Sequence, residues 1–312
     1  MKIDKTRSIT HTKYWARSGI RASKSKVTIV KFFQNFINKF ILGKLGLEIR
    51  RIQTSHRLEQ KSFTKDPNIL KIRDERIANY LIEFGTNYEI HFEKDLLLKN
   101  LALFEQIFRE DKISDLNGGM GYNNGLFLFI LISHLQPNAV IESGVWRGFT
   151  TYLIDKAIPK NGKIYCFDIN MDRVEFESNK ASYFEQDLSQ IDDVDYAKVD
   201  FAFFDDHVSI YDRLKLCVSN KIKFVVVDDD VSLTQVHSDG WPPIPTASML
   251  YEYDLLPKKF SWITNGESAS SDISDLDVSD ICNFYRYVPF PKLGDFTGYK
   301  DSSFTSLLIS YD

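Results

Sequence analysis

The chain has 312 residues, of which 43% are hydrophobic and 14% aromatic, and its formal net charge is -4. A hydrophobic share of this size is enough for a packed interior and excludes an intrinsically disordered chain. The three cysteines, Cys166, Cys217 and Cys282, have neither paired nor metal-ligand spacing, so we expect reduced thiols and a cytoplasmic protein.

Positive charge is concentrated in a basic N-terminal extension, residues 1–60. Residues 1–61 carry 15 Lys or Arg against 3 Asp or Glu, a balance of +12 that leaves -16 for the remaining 251 residues. Within this extension, residues 27–45 place their phenylalanines and isoleucines on one face of an amphipathic helix. That helix is too charged to span a bilayer, and we expect no signal peptide in the polar, basic residues 1–26.

The amphipathic helix has two alternative roles. It could lie on an anionic membrane surface, where each nearby Lys or Arg contributes about 1 kcal/mol, or it could pack on the protein's own helices. Nucleic-acid binding is not expected, since no recognition motif accompanies the charge. The sequence leaves a homo-oligomer open.

A helical accessory segment is predicted over residues 61–120, ahead of an α/β domain over residues 121–312. Apolar spacing predicts helices at residues 69–84 and 92–108. A glycine-rich loop that includes residues 118–122 then precedes a helix at residues 125–135.

The most informative turn of the chain follows a predicted buried strand. Residues 140–151 read VIESGVWRGFTT, an apolar run that ends in an acid and is followed by two glycines four residues apart. The glycines let the backbone turn and approach a ligand closely, whereas the acid would repel a pyrophosphate and suits a cationic ligand. The candidate ligand contacts of this turn are Glu142, Gly144, Trp146, Gly148 and Thr150.

Acids also end the next two predicted strands. Asp168 closes residues 163–168, about 20 residues past the glycine turn, where an acid accepts hydrogen bonds from ribose hydroxyls. Asp187 closes a short strand at residues 182–187, and capping of a loop or helix is one interpretation of it.

The spacing E-x-G-x-x-x-G-x-T resembles the first motif of class I S-adenosylmethionine-dependent methyltransferases. The resemblance implies a Rossmann-like α/β fold with helices on both faces of a seven-stranded sheet in the order 3-2-1-4-5-7-6, preceded by the helical N-terminal extension. Residues 281–288 and 303–310 would be its last two strands. It also implies S-adenosylmethionine as the cofactor, with Asp187 reaching the adenine amino group.

In that fold the fourth and fifth strands are neighbours, about 4.8 Å apart. Residues 199–204 lead into Asp205, Asp206 and His207, and residues 221–227 lead into Asp228 and Asp229. Carboxylates so close together either have raised pKa values or bind a cation, and oxygen ligands favour a hard divalent ion such as Mg²⁺. The alternative is that these acids cap the helix after Ser209 or form a solvated turn. The candidate metal ligands are Asp205, Asp228 and Asp229, and Asp205 is also a candidate cofactor contact.

Residues 120–235 resemble more closely the metal-dependent sugar O-methyltransferases related to macrocin O-methyltransferase and the cephalosporin-hydroxylase-like group. The usual Asp-Gly-Asp-His turn is shortened here to Asp205-Asp206-His207, which leaves open whether Asp205 or Asp206 binds the metal. The resemblance implies methyl transfer to a sugar hydroxyl of a glycan or a glycosylated metabolite, with Asp206 or His207 as the general base. Residues 45–51 also resemble N-terminal segments of bacterial enzymes that build surface polysaccharides.

Two other functions remain open: a methyltransferase-like enzyme acting on a non-sugar small molecule, and a non-catalytic membrane or partner adaptor that keeps the fold. The proline-rich residues 238–246 are a candidate wall of the acceptor site, with Trp241 suited to a sugar ring and His237 to hydrogen bonding.

Overall fold

A computed structural model describes residues 66–108, 120–191, 193–235, 244–264, 267–301 and 304–311. The predicted helix at residues 27–45 lies outside these residues, as do His237, Trp241 and the first part of the glycine-rich loop.

Within the described residues, nine strands form two sheets. They are β1 (Ala139–Ser143), β2 (Lys163–Phe167), β3 (Ala181–Phe184), β4 (Val199–Phe204), β5 (Phe224–Val227), β6 (Lys259–Thr264), β7 (Glu267–Asp272), β8 (Tyr285–Pro289) and β9 (Ser306–Ser310). The central sheet has the order β3-β2-β1-β4-β5-β9-β8, while β6 and β7 form a separate antiparallel hairpin. Strands β1 to β5 run parallel, and β9 is antiparallel to both β5 and β8. Because β8 and β9 are the sixth and seventh strands of this sheet, the predicted order 3-2-1-4-5-7-6 is confirmed.

Eight α-helices surround the sheet in the described part of the chain. They are α1 (Pro67–Asn87), α2 (Lys94–Phe108), α3 (Tyr122–Leu135), α4 (Phe149–Ala157), α5 (Ile210–Ser219), α6 (Ala247–Tyr251), α7 (Ser279–Phe284) and α8 (Gly294–Thr297). Helix α1 begins where Asp66 accepts a hydrogen bond from the backbone of Asn68 and Pro67 presets the first turn. Among these helices, none is both long and apolar enough to cross a membrane.

Strand alternation gives the sheet two buried faces. On the first face, which includes Val140 and Phe203, the side chains pack against helices α1 to α4. On the second face, which includes Ile141 and Phe204, they pack against α5, α6 and α7. Successive side chains of a strand point to opposite faces, so the position of a polar residue along a strand decides which set of helices it meets.

The C-terminal part differs from the sequence-based expectation. Residues 281–288 were predicted as one strand, but Ile281 belongs to α7 and the strand begins at Tyr285. The hairpin was not predicted, because Ser and Asp in β7 have low strand propensity. These residues pair with the more strand-prone Phe260 and Trp262 of β6.

Candidate functional site

The turn between β1 and α4 requires glycine at two positions. Gly144 has φ +94° and Gly148 has φ +86°. Residues with a Cβ atom rarely adopt this backbone conformation. A Cβ atom on Gly144 would lie 2.3 Å from the carbonyl oxygen of Asp205, and one on Gly148 would lie 2.7 Å from that of Phe176. The turn after β1 therefore packs directly against the residue that follows β4.

Asp168 closes this turn onto the end of β2. Its Oδ2 accepts hydrogen bonds from the backbone N–H groups of Val145 at 3.0 Å and Trp146 at 2.9 Å. Its Oδ1 accepts one from Asn170 at 3.0 Å. A carboxylate offers about four lone-pair sites, so Asp168 holds the turn and keeps capacity for a ribose hydroxyl.

The other two predicted contacts of the turn differ in exposure. Trp146 is 40% exposed, and the guanidinium carbon of Arg173 lies 4.5 Å from the centre of its ring. Thr150 is buried in the first turn of α4. Of these two side chains, that of Trp146 is the one that a ligand in the solvent could contact.

Glu142, a candidate ligand contact of the turn, has its side chain inside the protein. It shares the first face with Val140 and is fully buried there. Its Oε2 accepts hydrogen bonds from Thr151 at 2.7 Å and from Cys166 at 3.4 Å, and no donor among the described residues reaches its Oε1. Burial raises the pKa of Glu142 to about 8, so the folded protein keeps this carboxyl protonated at neutral pH.

Asp187 is a capping residue and an ion-pair partner. It accepts a hydrogen bond from the backbone of Ser189, and its Oδ2 lies 2.6 Å from Nη2 of Arg213. Burial alone would raise the pKa of Asp187, but its hydrogen bonds with Arg213 and Ser189 and the positive charge of Arg213 outweigh burial and lower it to about 2. These contacts match the capping interpretation, and a contact with adenine stays a prediction.

Asp206 faces the same arginine. Its Oδ2 accepts hydrogen bonds from Ser143 at 2.6 Å and from Nε of Arg213 at 2.8 Å, and its Oδ1 accepts one from the backbone of Val208. Arg213 is 3% exposed, on α5 of the second face. Both carboxylate oxygens of Asp206 therefore accept hydrogen bonds from the protein. This geometry favours Asp205 over Asp206 as the residue that would contact a metal.

Asp205, His207 and Asp229 form a compact acidic cluster at the carboxyl ends of β4 and β5. One ligand atom from each lies within 4.8 Å of the others. Nε2 of His207 is 3.7 Å from Oδ1 of Asp205 and 3.6 Å from Oδ2 of Asp229. Burial, then the charges of Asp228 and Asp229, hold the pKa of Asp205 well above its usual range. A cation would relieve this repulsion.

Asp228 lies beside the cluster. The register pairs Phe204 with Val227, so Asp205 and Asp228 follow adjacent strand ends as predicted. Burial and the charge of Asp229 raise the pKa of Asp228 to about 7. Its Oδ1 accepts a hydrogen bond from the Thr305 hydroxyl. The predicted ligands thus come together at one edge, although His207 and not Asp228 completes the tightest group.

Residues 98–230 match the family model of O-methyltransferases. No curated protein matches the chain in sequence. Similar solved structures include a putative O-methyltransferase from Klebsiella pneumoniae, with 11% identity, a TM-score of 0.37 and coverage of 78% of this chain and 100% of that one. The O-methyltransferase TomG from Streptomyces achromogenes, in complex with SAM, has 12% identity, a TM-score of 0.38 and coverage of 77% and 98%. The O-methyltransferase from Bacillus cereus, in complex with SAH, has 11% identity, a TM-score of 0.36 and coverage of 78% and 100%.

The family match covers the strands that carry the candidate site. It begins in α2, includes the glycine turn after β1, and ends with the acids that follow β5. The sheet order, with its antiparallel β9 beside β5, agrees with the fold expected from the sequence motif. Residues 98–230 are therefore similar to the O-methyltransferase family, and the glycine turn and the sheet order agree with the S-adenosylmethionine-dependent methyltransferases that the sequence motif resembles.

Proposed function

We propose that the protein methylates a hydroxyl group of a sugar, on a glycan or a glycosylated metabolite, with the help of a divalent cation at the ends of β4 and β5. The observation that carries the proposal is the cluster of Asp205, His207 and Asp229 with Asp228 beside it. S-adenosylmethionine supplies an activated methyl group. The protein must then align the acceptor oxygen and receive its proton.

The donor set fits a hard divalent ion. Carboxylate oxygens are the ligands that Mg²⁺, Ca²⁺ and Mn²⁺ prefer, and three carboxylates converge on this edge of the sheet. Burial, and after it the charges of neighbouring carboxylates, raise the pKa values of Asp205 and Asp228, and a cation bound there would offset both effects. Asp205, Asp228 and Asp229 would hold the ion, which would lower the pKa of a bound hydroxyl and fix its orientation.

His207 is the candidate general base. Its Nε2 lies between the carboxylates of Asp205 and Asp229, where it can take a proton from an acceptor held at the cluster. Histidine is the side chain that most often serves as a general base in enzymes. Asp206, the other candidate, is unsuited to the role because Ser143, Arg213 and the backbone of Val208 occupy its oxygens.

The sugar acceptor rests on the resemblance of the Asp205-Asp206-His207 and Asp228-Asp229 turns to the macrocin O-methyltransferase group. A role in surface polysaccharide synthesis rests on the resemblance of residues 45–51 to N-terminal segments of bacterial enzymes that build such polysaccharides. A non-sugar hydroxyl compound is the alternative acceptor, and the same cluster would serve it. Methyl transfer to a panel of nucleotide-sugars, glycosides and phenols separates the two, since turnover of phenols alone would reject the sugar acceptor.

The cation is tested by methyl transfer with and without a chelator. We expect EDTA to abolish activity and Mg²⁺ or Mn²⁺ to restore it, whereas full activity in EDTA would exclude an essential ion. Asp205→Asn and Asp229→Asn should lose binding of Mn²⁺, measured by calorimetry without any substrate. Asp254→Asn, which alters an exposed acid outside the cluster, is the matched control and should bind Mn²⁺ as the wild type does.

A further inference from the structure

A chain of buried hydrogen bonds runs from helix α3 to the candidate ligand Asp228. Nδ2 of Asn124 donates to Oγ1 of Thr305 at 2.5 Å, and the hydroxyl of Thr305 donates to Oδ1 of Asp228. Asn124 is 3% exposed and Thr305 is 5% exposed, so water competes little for these bonds. We propose that Asn124 and Thr305 are positioning residues that orient Asp228 for the cation, an inference that rests on the proposed cation site.

Strand geometry brings the three residues together. Val227 of β5 pairs with Ser306 of β9, so Asp228 and Thr305 are the next residues of the two antiparallel strands. Val226 and Leu307 belong to the first face, so alternation assigns Asp228 and Thr305 to that face as well. Helix α3 packs on the first face and begins with the segment that contains Asn124.

The chemistry of the donor groups fixes the direction of these hydrogen bonds, from Asn124 through Thr305 to Asp228. An amide nitrogen can only donate, and a threonine hydroxyl has a single proton. Because Oγ1 of Thr305 accepts from Asn124, its own proton is directed to Asp228. Oδ1 of Asp228 is thereby held by Thr305, and this bond orients the carboxylate that we propose as a cation ligand.

Asn123 anchors the start of α3, the segment that also contains Asn124. Nδ2 of Asn123 donates to the carbonyl of Tyr299 at 3.0 Å and to Asp301 at 2.6 Å, and its Oδ1 accepts from Thr297 at 2.6 Å. These bonds attach the start of α3 to the segment that leads to β9. Thr305 lies beyond residues 98–230, so the family match does not include it. The residue that precedes β9 thus contributes to a site whose candidate ligands follow β4 and β5.

Protein groups that hydrogen bond to metal ligands typically change metal affinity about 10- to 100-fold when they are removed. We therefore expect Thr305→Val, which keeps the side-chain shape, to weaken Mn²⁺ binding about 10- to 100-fold. Thr305→Ser restores the hydroxyl and should recover most of the affinity. Asn124→Ala leaves the hydroxyl of Thr305 but removes its orientation, so a smaller loss of the same sign is expected.

Tyr287 provides a matched control. Its hydroxyl donates to Oδ2 of Asp230 at 2.9 Å, on a carboxylate two residues beyond Asp228 and outside the acidic cluster. Tyr287→Phe removes the same kind of hydroxyl-to-carboxylate bond. It should leave Mn²⁺ affinity unchanged even if it lowers stability.

The experiment is a calorimetric titration of the full chain and each variant with Mn²⁺ alone, with thermal unfolding in EDTA measured in parallel. Weaker binding by Thr305→Val and Asn124→Ala, recovery in Thr305→Ser and no change in Tyr287→Phe would support the inference. Wild-type affinity in both Thr305→Val and Asn124→Ala, together with loss of binding in Asp228→Asn, would overturn it and leave the cation site standing. Wild-type affinity in Asp228→Asn would reject Asp228 as a ligand, and the inference with it. If Thr305→Val does not fold, Asn124→Ala and Thr305→Ser decide by the same criteria.

Discussion

Arg213 and Asp206 form a buried ion pair, with a guanidinium nitrogen 2.8 Å from a carboxylate oxygen. Asp205, one residue earlier, faces the acidic cluster instead. Strand alternation explains the difference, because Phe203 lies on the first face of the sheet and Phe204 on the second. Two consecutive acids therefore meet different surroundings, and their roles should separate experimentally.

Asp206→Asn should lower the stability of the fold, whereas Asp205→Asn should abolish Mn²⁺ binding. Loss of the Asp206 charge weakens a buried ion pair, and we expect unfolding to become easier by up to about 3 kcal/mol, with the loss limited because Asp187 still pairs with Arg213. Asp205→Asn removes repulsion from the cluster and should keep or increase stability while Mn²⁺ binding is lost. Urea unfolding and Mn²⁺ titration of both variants measure this, and loss of Mn²⁺ binding in Asp206→Asn alone would reverse the assignment.

His207→Asn should separate proton transfer from cation binding. His207 has φ +55°, a conformation that asparagine tolerates better than most residues, so the turn should be retained. If His207 is the general base, the variant keeps Mn²⁺ binding and loses about 10²- to 10⁴-fold in kcat. The exposed His91→Asn is the control and should keep full activity. Loss of Mn²⁺ binding in His207→Asn would instead make His207 a metal ligand.

The sequence contained more information about the site than motif spacing alone reveals. Motif spacing predicted the glycine turn, Asp168 at the end of β2 and the adjacent acids after β4 and β5. Alternation along β1 could also have predicted that Glu142 follows Val140 into the first face, while Ser143 follows Ile141 to the second. Motif spacing by itself does not indicate that this carboxyl is fully buried.

Other parts of the site depend on contacts that no local pattern encodes. Asn124 and Thr305 are 181 residues apart in sequence and meet only because β9 enters the sheet beside β5. Arg213 likewise reads as an ordinary charged residue of α5, yet it is 3% exposed and binds two acids. Burial of a charge depends on the packing of the whole domain, so it became visible only in the structure.

Gly144→Ala should disrupt the cofactor turn. The new Cβ atom would lie 2.3 Å from the backbone carbonyl of Asp205, and φ +94° adds a cost of about 1–2 kcal/mol for a residue with a side chain. We expect binding of S-adenosylmethionine to be lost in calorimetry, along with a lower unfolding temperature. Gly125→Ala, within helix α3, is the control, since its Cβ would meet the end of the Leu153 side chain at 3.0 Å and the Phe149 ring at 3.7 Å but no backbone atom among these nearest contacts. Normal binding by Gly144→Ala would show that the cofactor does not depend on this turn.

Glu142 should make the protein less stable as the pH rises. Burial raises the pKa of its carboxyl from 4.5 to about 8 in the folded state, so between these values the folded chain binds a proton that the unfolded chain has released. The free energy of unfolding then falls with increasing pH, by at most about 1.4 kcal/mol per pH unit, and levels off above the folded-state pKa. Glu142→Gln keeps the shape and removes the titration, so the stability of the wild type relative to this variant should decline steadily from pH 5 to pH 8. Asp205 and Asp228 titrate in both proteins and largely cancel in the comparison. Urea unfolding of both proteins in EDTA at each pH tests this, and a constant difference across the range would mean that Glu142 is ionised in the folded protein.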